Sequence, residues 1–223
     1  KNMERNLNKL DLTLYEETLD HGFHVYVVPN KKVNNIYATL TIRYGSNHDC
    51  FIPYKEKEKV SFPHGIAHFL EHKVFEQESG EDPFSFFESR GANCNANTSN
   101  QKTTYLFSGM HSFEDNLNML LDFVEEPYFT EENVEKEKGI IIEELNMYKD
   151  NPIQRLYETS IYNTFHSHPC RYSVGGTVES VKKITKEMLY TCYHTFYQPS
   201  NMFLIVTGNV DAKEVCEIVK ENH

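Results

Sequence analysis

The sequence has no tryptophan and no Cys-x-x-Cys pair, and its cations are outnumbered, 22 Lys and Arg against 33 Asp and Glu. Each shortage closes off a class of protein. The five cysteines, Cys50, Cys94, Cys170, Cys192 and Cys216, are odd in number and widely spaced. They suggest neither a disulfide framework nor a structural zinc ribbon, and a reducing, cytoplasmic setting is expected. The longest unbroken apolar run, Met202 to Val206, falls far short of the ~20 residues that a membrane-spanning helix needs, so no membrane is expected as a partner. From Lys1 onward no charged, then apolar, then small-residue leader is visible. A formal charge of −11 argues against nucleic acid as the main partner. No repeat with a period of roughly 20 to 50 residues recurs, and no segment is of low complexity.

What remains is an ordinary globular composition, and 223 residues suffice for one domain, 1–223, with a substantial core. The stretch that stands out runs from Ser61 to Glu78 and contains His68-Phe69-Leu70-Glu71-His72. Read as a helix at about 100° per residue, it sets His64, His68, Glu71, His72 and Phe75 on one side and Phe62, Ile66, Phe69, Leu70 and Val74 on the other. Two imidazoles four residues apart stack along the axis within reach of one ion, in the H-x-x-E-H order of inverted zinc-protease motifs. A catalytic zinc takes about three protein ligands and keeps one position open for water. A carboxylate beside that water, off the metal, can take its proton and later pass it to a leaving amine. Glu71 is the candidate for that task.

Elsewhere the pattern alternates between strands and helices. Residues 1–10 read as a polar lead-in. Leu12 to Leu19 and Phe23 to Pro29 form a hairpin about Asp20-His21-Gly22, and Ile36 to Ile42 is a strand with one buried face. Gly45 to Lys59 reads as a solvated loop. Asp82-Pro83 opens a short helix that Gly91 closes, and Asn93 to Thr98 and Thr103 to Ser108 are paired strands. Ser112 and Asp115 signal a capping box for the next helix. Thr130 starts a longer one whose buried stripe is Val134, Ile141, Leu145 and Tyr148. Glu137 and Glu144 share one flank of that stripe, whereas Glu143 points away, so the first two are the further metal-site candidates and Glu143 the competing one. Asp150-Asn151-Pro152 breaks the pattern before a helix to about Phe165. His166 and His168 read as loop residues, Thr185 caps a helix to Tyr197, Met202 to Thr207 is a strand, and Asp211 caps a last helix.

Taken together, these features resemble the N-terminal, metal-bearing domain of the pitrilysin-family inverzincins, the group of insulin-degrading enzyme and mitochondrial processing peptidase. Pro63 to Phe75 is closest to bacterial processing-type members. The resemblance implies an α+β fold, an antiparallel or mixed sheet with helices on one face, as one half of a two-domain clamshell. It implies zinc held by His68, His72 and Glu144, with Glu137 supporting the site and Glu71 as catalytic carboxylate. Asn95-Ala96-Asn97-Thr98 with Thr104-Tyr105 resembles the family's strand pair, which implies that Asn95 and Ala96 bind substrate as an added β-strand. Cys94 and Asn97 depart from that pattern and bear on side-chain preference.

The expected activity is zinc-dependent endopeptidase cleavage of peptides or small unfolded proteins, with a second homologous domain or subunit needed for full rate. A non-catalytic scaffold subunit is one alternative. A small-molecule zinc lyase of the ribosylhomocysteinase type is another, and it requires Cys94 or Cys170 as third ligand.

Overall fold

A computed structural model describes residues 2–222. The strands are β1 (Asn2–Leu7), β2 (Leu12–Thr18), β3 (His24–Pro29), β4 (Ile36–Ile42), β5 (Cys50–Phe51), β6 (Val60–Ser61), β7 (Ala92–Thr98), β8 (Thr103–Gly109) and β9 (Met202–Gly208). The α-helices are α1 (Ile66–Val74), α2 (Pro83–Ser89), α3 (Phe113–Glu125), α4 (Glu131–Lys149), α5 (Pro152–Thr164), α6 (Val178–Lys182), α7 (Lys186–Phe196) and α8 (Ala212–Asn222). Seven strands form one mixed sheet in the order β1-β2-β3-β9-β4-β8-β7. Among the described residues only the β3–β9 ladder is parallel; the others are antiparallel.

Alternation decides which face is covered. In β4 the side chains of Ile36, Ala38, Leu40 and Ile42 are buried, as are Val25 and Val27 of β3, Tyr105 and Phe107 of β8, and Leu204 and Val206 of β9. Helices α3, α8 and α1 pack on this face, whereas Tyr37 and Ile205 on the opposite face stay exposed. The expected α+β architecture with helices on one face is therefore what the chain adopts. β7 lies at one edge of the sheet and packs against α1, which brings the His helix to an open strand edge.

Four local expectations need correction. The first residues are not a lead-in: β1 pairs with β2 from Asn2↔Glu17 to Leu7↔Leu12, because an existing hairpin edge satisfies backbone groups whatever the side chains. Ser112 does not cap α3 with its side chain; its φ of 55° is left-handed, whereas a capping residue has extended backbone. The stripe of α4 is buried only at Val134 and Ile141, with Leu145 half-buried and Tyr148 exposed, because the helix runs past the core at its C-terminal end. The 45–59 stretch is not wholly loop, since Cys50 and Phe51 pair with Ser61 and Val60.

Candidate metal centre

Gly65 is the N-cap of helix α1, and its φ of 92° suits glycine alone. The position is also crowded: a Cβ there would sit 2.4 Å from the Gly175 carbonyl oxygen, and one at Gly176 would sit 2.3 Å from the His64 oxygen. Ser180 Oγ donates to the same His64 oxygen at 2.7 Å. The Gly175-Gly176 turn thus clamps the start of the His helix. At its other end Gln77 Nε2 donates to the Val74 and Phe123 carbonyls, closing the helix C-terminus. Between them Ile66, Phe69, Leu70 and Val74 are buried, each contributing on the order of 1.5–3 kcal/mol of hydrophobic stabilisation.

Helix α4 is fixed beside it. Thr130 and Asn133 form a reciprocal capping box, and Glu131 and Glu132 occupy the positive end of the dipole. Lys73, wholly buried, donates to the Glu76 carboxylate and, at 3.3 Å, to the carbonyl of Asn133. Its ammonium also lies 3.9 Å from Glu137 Oε2. A buried ammonium is costly unless compensated, and here the compensation joins α1 to the first turn of α4. Lys73 escaped the sequence reading; the signal was a lone charge three and four residues after Leu70 and Phe69, on the helix's apolar side.

The two helices bring His68, His72 and Glu144 together. The Nε2 atoms of the two histidines are 3.2 Å apart. Glu144 reaches His68 Nε2 at 3.8 Å through Oε1 and His72 Nε2 at 3.5 Å through Oε2. One ligand atom from each lies within 4.8 Å of the others, and among the described residues this is the group of three placed to hold a metal. Tetrahedral zinc with bonds of ~2.0–2.1 Å spaces its ligand atoms about 3.3 Å apart, so donor set and spacing both fit that ion. Glu137 Oε1 accepts from His72 Nδ1 at 2.9 Å, which in the neutral ring leaves the Nε2 lone pair facing the cluster, as carboxylate-supported ligating histidines are oriented. Glu143 is exposed and stands outside the cluster. So do the cysteines, and burial pushes the Cys94 thiol up to about 12, away from the thiolate that metals bind.

Charge states follow from surroundings. Burial, reinforced by the neighbouring His72, lowers His68 to about 4, so its ring is neutral and free to ligate. Burial also works against a charged His72, but the hydrogen bond and charge of Glu137 outweigh it and hold His72 above its ordinary value. For Glu137 burial is likewise overcome, by His72 and then Lys73, and its carboxyl lies below the usual range. Burial raises Glu71, partly countered by the Thr98 hydroxyl that donates to Oε2.

The site opens into a groove of about 1350 Å³ lined by His68, Glu71, His72, Ala96, Thr98 and Glu144, with α5 forming part of the far wall. Ala96 and Thr98 belong to the edge strand, so the groove runs along it. Asn95 is exposed, and its Oδ1 accepts from the Ala96 N–H at 2.8 Å. Thr98 ends the Asn95-Ala96-Asn97-Thr98 stretch, but nothing in the sequence ties it to Glu71.

Comparison with known proteins identifies the family. Residues 27–178 match the family model for insulinase (peptidase family M16), and residues 183–222 match that for the peptidase M16 inactive domain. The chain is 51% identical over 214 residues to the "uncharacterized zinc protease YmfH" of Bacillus subtilis (strain 168), covering 96% of this chain and 50% of that one. It is similar to the crystal structure of an M16-like peptidase from Alicyclobacillus acidocaldarius, with a TM-score of 0.92, 40% identity, and coverage of 99% of this chain and 51% of that chain. A protease from Helicobacter pylori is similar at a TM-score of 0.81 and 25% identity, over 93% of this chain and 49% of the other. The chain therefore spans about half the length of the relatives it matches. With a family model matched from β3 to the start of α6, the chain belongs to the insulinase family of peptidases, family M16.

Proposed function

We propose that this chain is the zinc-bearing half of an endopeptidase that cleaves peptides or small unfolded proteins. The observation that carries the reading is the convergence of His68, His72 and Glu144 beside a carboxylate, Glu71, in the same groove. Zinc held by those three side chains would supply Lewis acidity, polarising a peptide carbonyl and bringing a water's pKa down toward ~7. Glu137 fixes the His72 ring. Glu71 takes a proton from the attacking water and delivers it to the departing amine nitrogen as the C–N bond breaks. The β7 edge at Asn95 and Ala96 grips the substrate main chain as an added strand, which tolerates varied sequence and favours extended, unfolded segments.

The test is zinc content together with hydrolysis of a quenched peptide, for the wild type, Glu71→Gln and Glu144→Ala. Glu71→Gln is expected to keep zinc and lose turnover, and Glu144→Ala to lose both. A wild-type chain that binds zinc yet leaves peptides intact even with its second half supplied would favour the scaffold reading. Intact zinc binding in Glu144→Ala with loss in a Cys94 or Cys170 variant would favour the lyase.

A further inference from the structure

We infer that Thr98 is a positioning residue whose hydroxyl ties the Glu71 carboxylate to the edge strand along which a peptide would lie, so that proton acceptor and substrate share one rigid mount. This rests on the reading of Glu71 as proton acceptor given above.

Three observations support it. Thr98 is the last residue of β7, the open edge of the sheet, and its Oγ1 donates to Glu71 Oε2. Among the described residues no other hydrogen bond reaches that carboxylate, which leaves Oε1 for the groove that both residues line. The strand end is itself held hard. Thr98 stands opposite Thr103 in the ladder, and Thr103 Oγ1 donates to the buried Tyr44 backbone at 2.8 Å. The Ser46 N–H donates to the Ser99 carbonyl at 3.0 Å. Gly45 permits that approach, since a Cβ there would lie 2.5 Å from both Ser99 O and Gln101 N. The hydroxyl therefore hangs from a pinned hairpin end rather than from a loop.

A carboxylate with two rotatable bonds beyond Cβ and a single anchor has several rotamers open to it once that anchor is removed. Proton transfer needs donor and acceptor within hydrogen-bond reach, so turnover depends on the one rotamer that Thr98 selects. Ala96 lines the groove two residues earlier on the same strand and face, so a peptide added to β7 takes up a fixed distance to Glu71 through the strand itself.

The experiment compares Thr98→Val, which keeps the branched shape and removes the donor, with Thr98→Ser, which restores it, in the zinc-loaded full-length protein. For Thr98→Val we expect kcat to fall by about 10-fold to 100-fold, part of the ~10²–10⁴-fold that a positioned acid or base supplies. KM should stay within about twofold and zinc affinity by chelator competition should be unchanged. Thr98→Ser should recover most of kcat. A crystal structure of Thr98→Val should show the Glu71 carboxylate displaced on an unmoved strand. Turnover within about twofold of wild type in Thr98→Val, an undisplaced carboxylate, or equal losses in zinc affinity and KM would overturn the inference. If Glu71→Gln itself retains turnover, the proton-acceptor reading fails first, and Thr98 has nothing to position.

Discussion

Glu71 sits among groups that pull its proton affinity in opposite directions. Burial raises it, the Thr98 hydroxyl and His72 draw it back, and Glu144 raises it again. A carboxyl held above its ordinary value is closer to the working range of a general base at neutral pH. Replacing it with glutamine should lower kcat by ~10²–10⁴-fold with zinc stoichiometry unchanged, as measured by peptide hydrolysis and metal analysis. His72 and Glu137 give a second prediction at this scale, for the zinc-free protein. The folded value of His72 is raised above 6.5, so its contribution is complete below 6.5 and fades as pH rises through the folded value. The folded value of Glu137 is lowered below 4.5, so its contribution is complete above 4.5 and fades as pH falls through the folded value. Denaturant melts of wild type and Glu137→Gln should therefore differ most at mildly acidic pH, by roughly 1.5–3 kcal/mol for a charge-assisted bond. The gap should narrow on both sides. An equal gap at all pH values would dismiss the ion pair as its source.

Among the elements, the clamp on α1 is the most sensitive. Gly65→Ala would demand a left-handed alanine and push a methyl group into the Gly175 carbonyl, a combination expected to cost roughly 2–4 kcal/mol in an unfolding titration. The same change should weaken zinc binding, because the turn that clamps α1 also approaches His68: a Cβ on Gly175 would lie 3.9 Å from His68 Nδ1. Most elements were readable from periodicity and caps: the β2–β3 hairpin, β4, α2 with its Asp82 cap, the β7–β8 pair and α4 with its Thr130 cap. The failures have separate causes. β1 has little apolar patterning because its partner strand supplies the stabilisation; Ser112 has cap chemistry without cap backbone; and α6 (Val178–Lys182) is too short to show a helical period. On α4 the wheel placed Glu137, Glu143 and Glu144 correctly, yet it could not say where the core stops, and Tyr148 emerges from it.

For the whole molecule, the chain spans about half the length of the relatives it matches. One wall of the groove is β7 and α1, and α5 forms part of the other. We expect this chain alone to hydrolyse peptides weakly, and the second homologous half to raise kcat/KM when supplied, as read in the same quenched-peptide assay. Comparable rates with and without that half would refute the clamshell requirement. Zinc should also stabilise the fold, since a ligand bound only by the native state at 100 times its Kd adds about 2.7 kcal/mol. Chelation should therefore lower Tm in the wild type and much less in Glu144→Ala. No helix among the described residues is long and apolar enough to cross a membrane.

The sequence alone grouped the candidate residues of α1, because H-x-x-E-H is local: a 3.6-residue period by itself puts His68, Glu71 and His72 on one helical side and the apolar backing on the other. It also determined that Glu144 faces inward and Glu143 does not, which the same period fixes. What it could not contain is distance across the chain. The meeting of Glu144 with the imidazoles, the burial of Lys73 against the first turn of α4, the Gly175-Gly176 turn over His64 and the hold of Thr98 on Glu71 all join residues from separate elements. So does the insertion of β9 between β3 and β4, which completes the sheet whose edge carries Thr98. Such contacts are set by how the covered face of the sheet packs its helices, and packing depends on volumes and shapes summed over the whole core rather than on any local spacing.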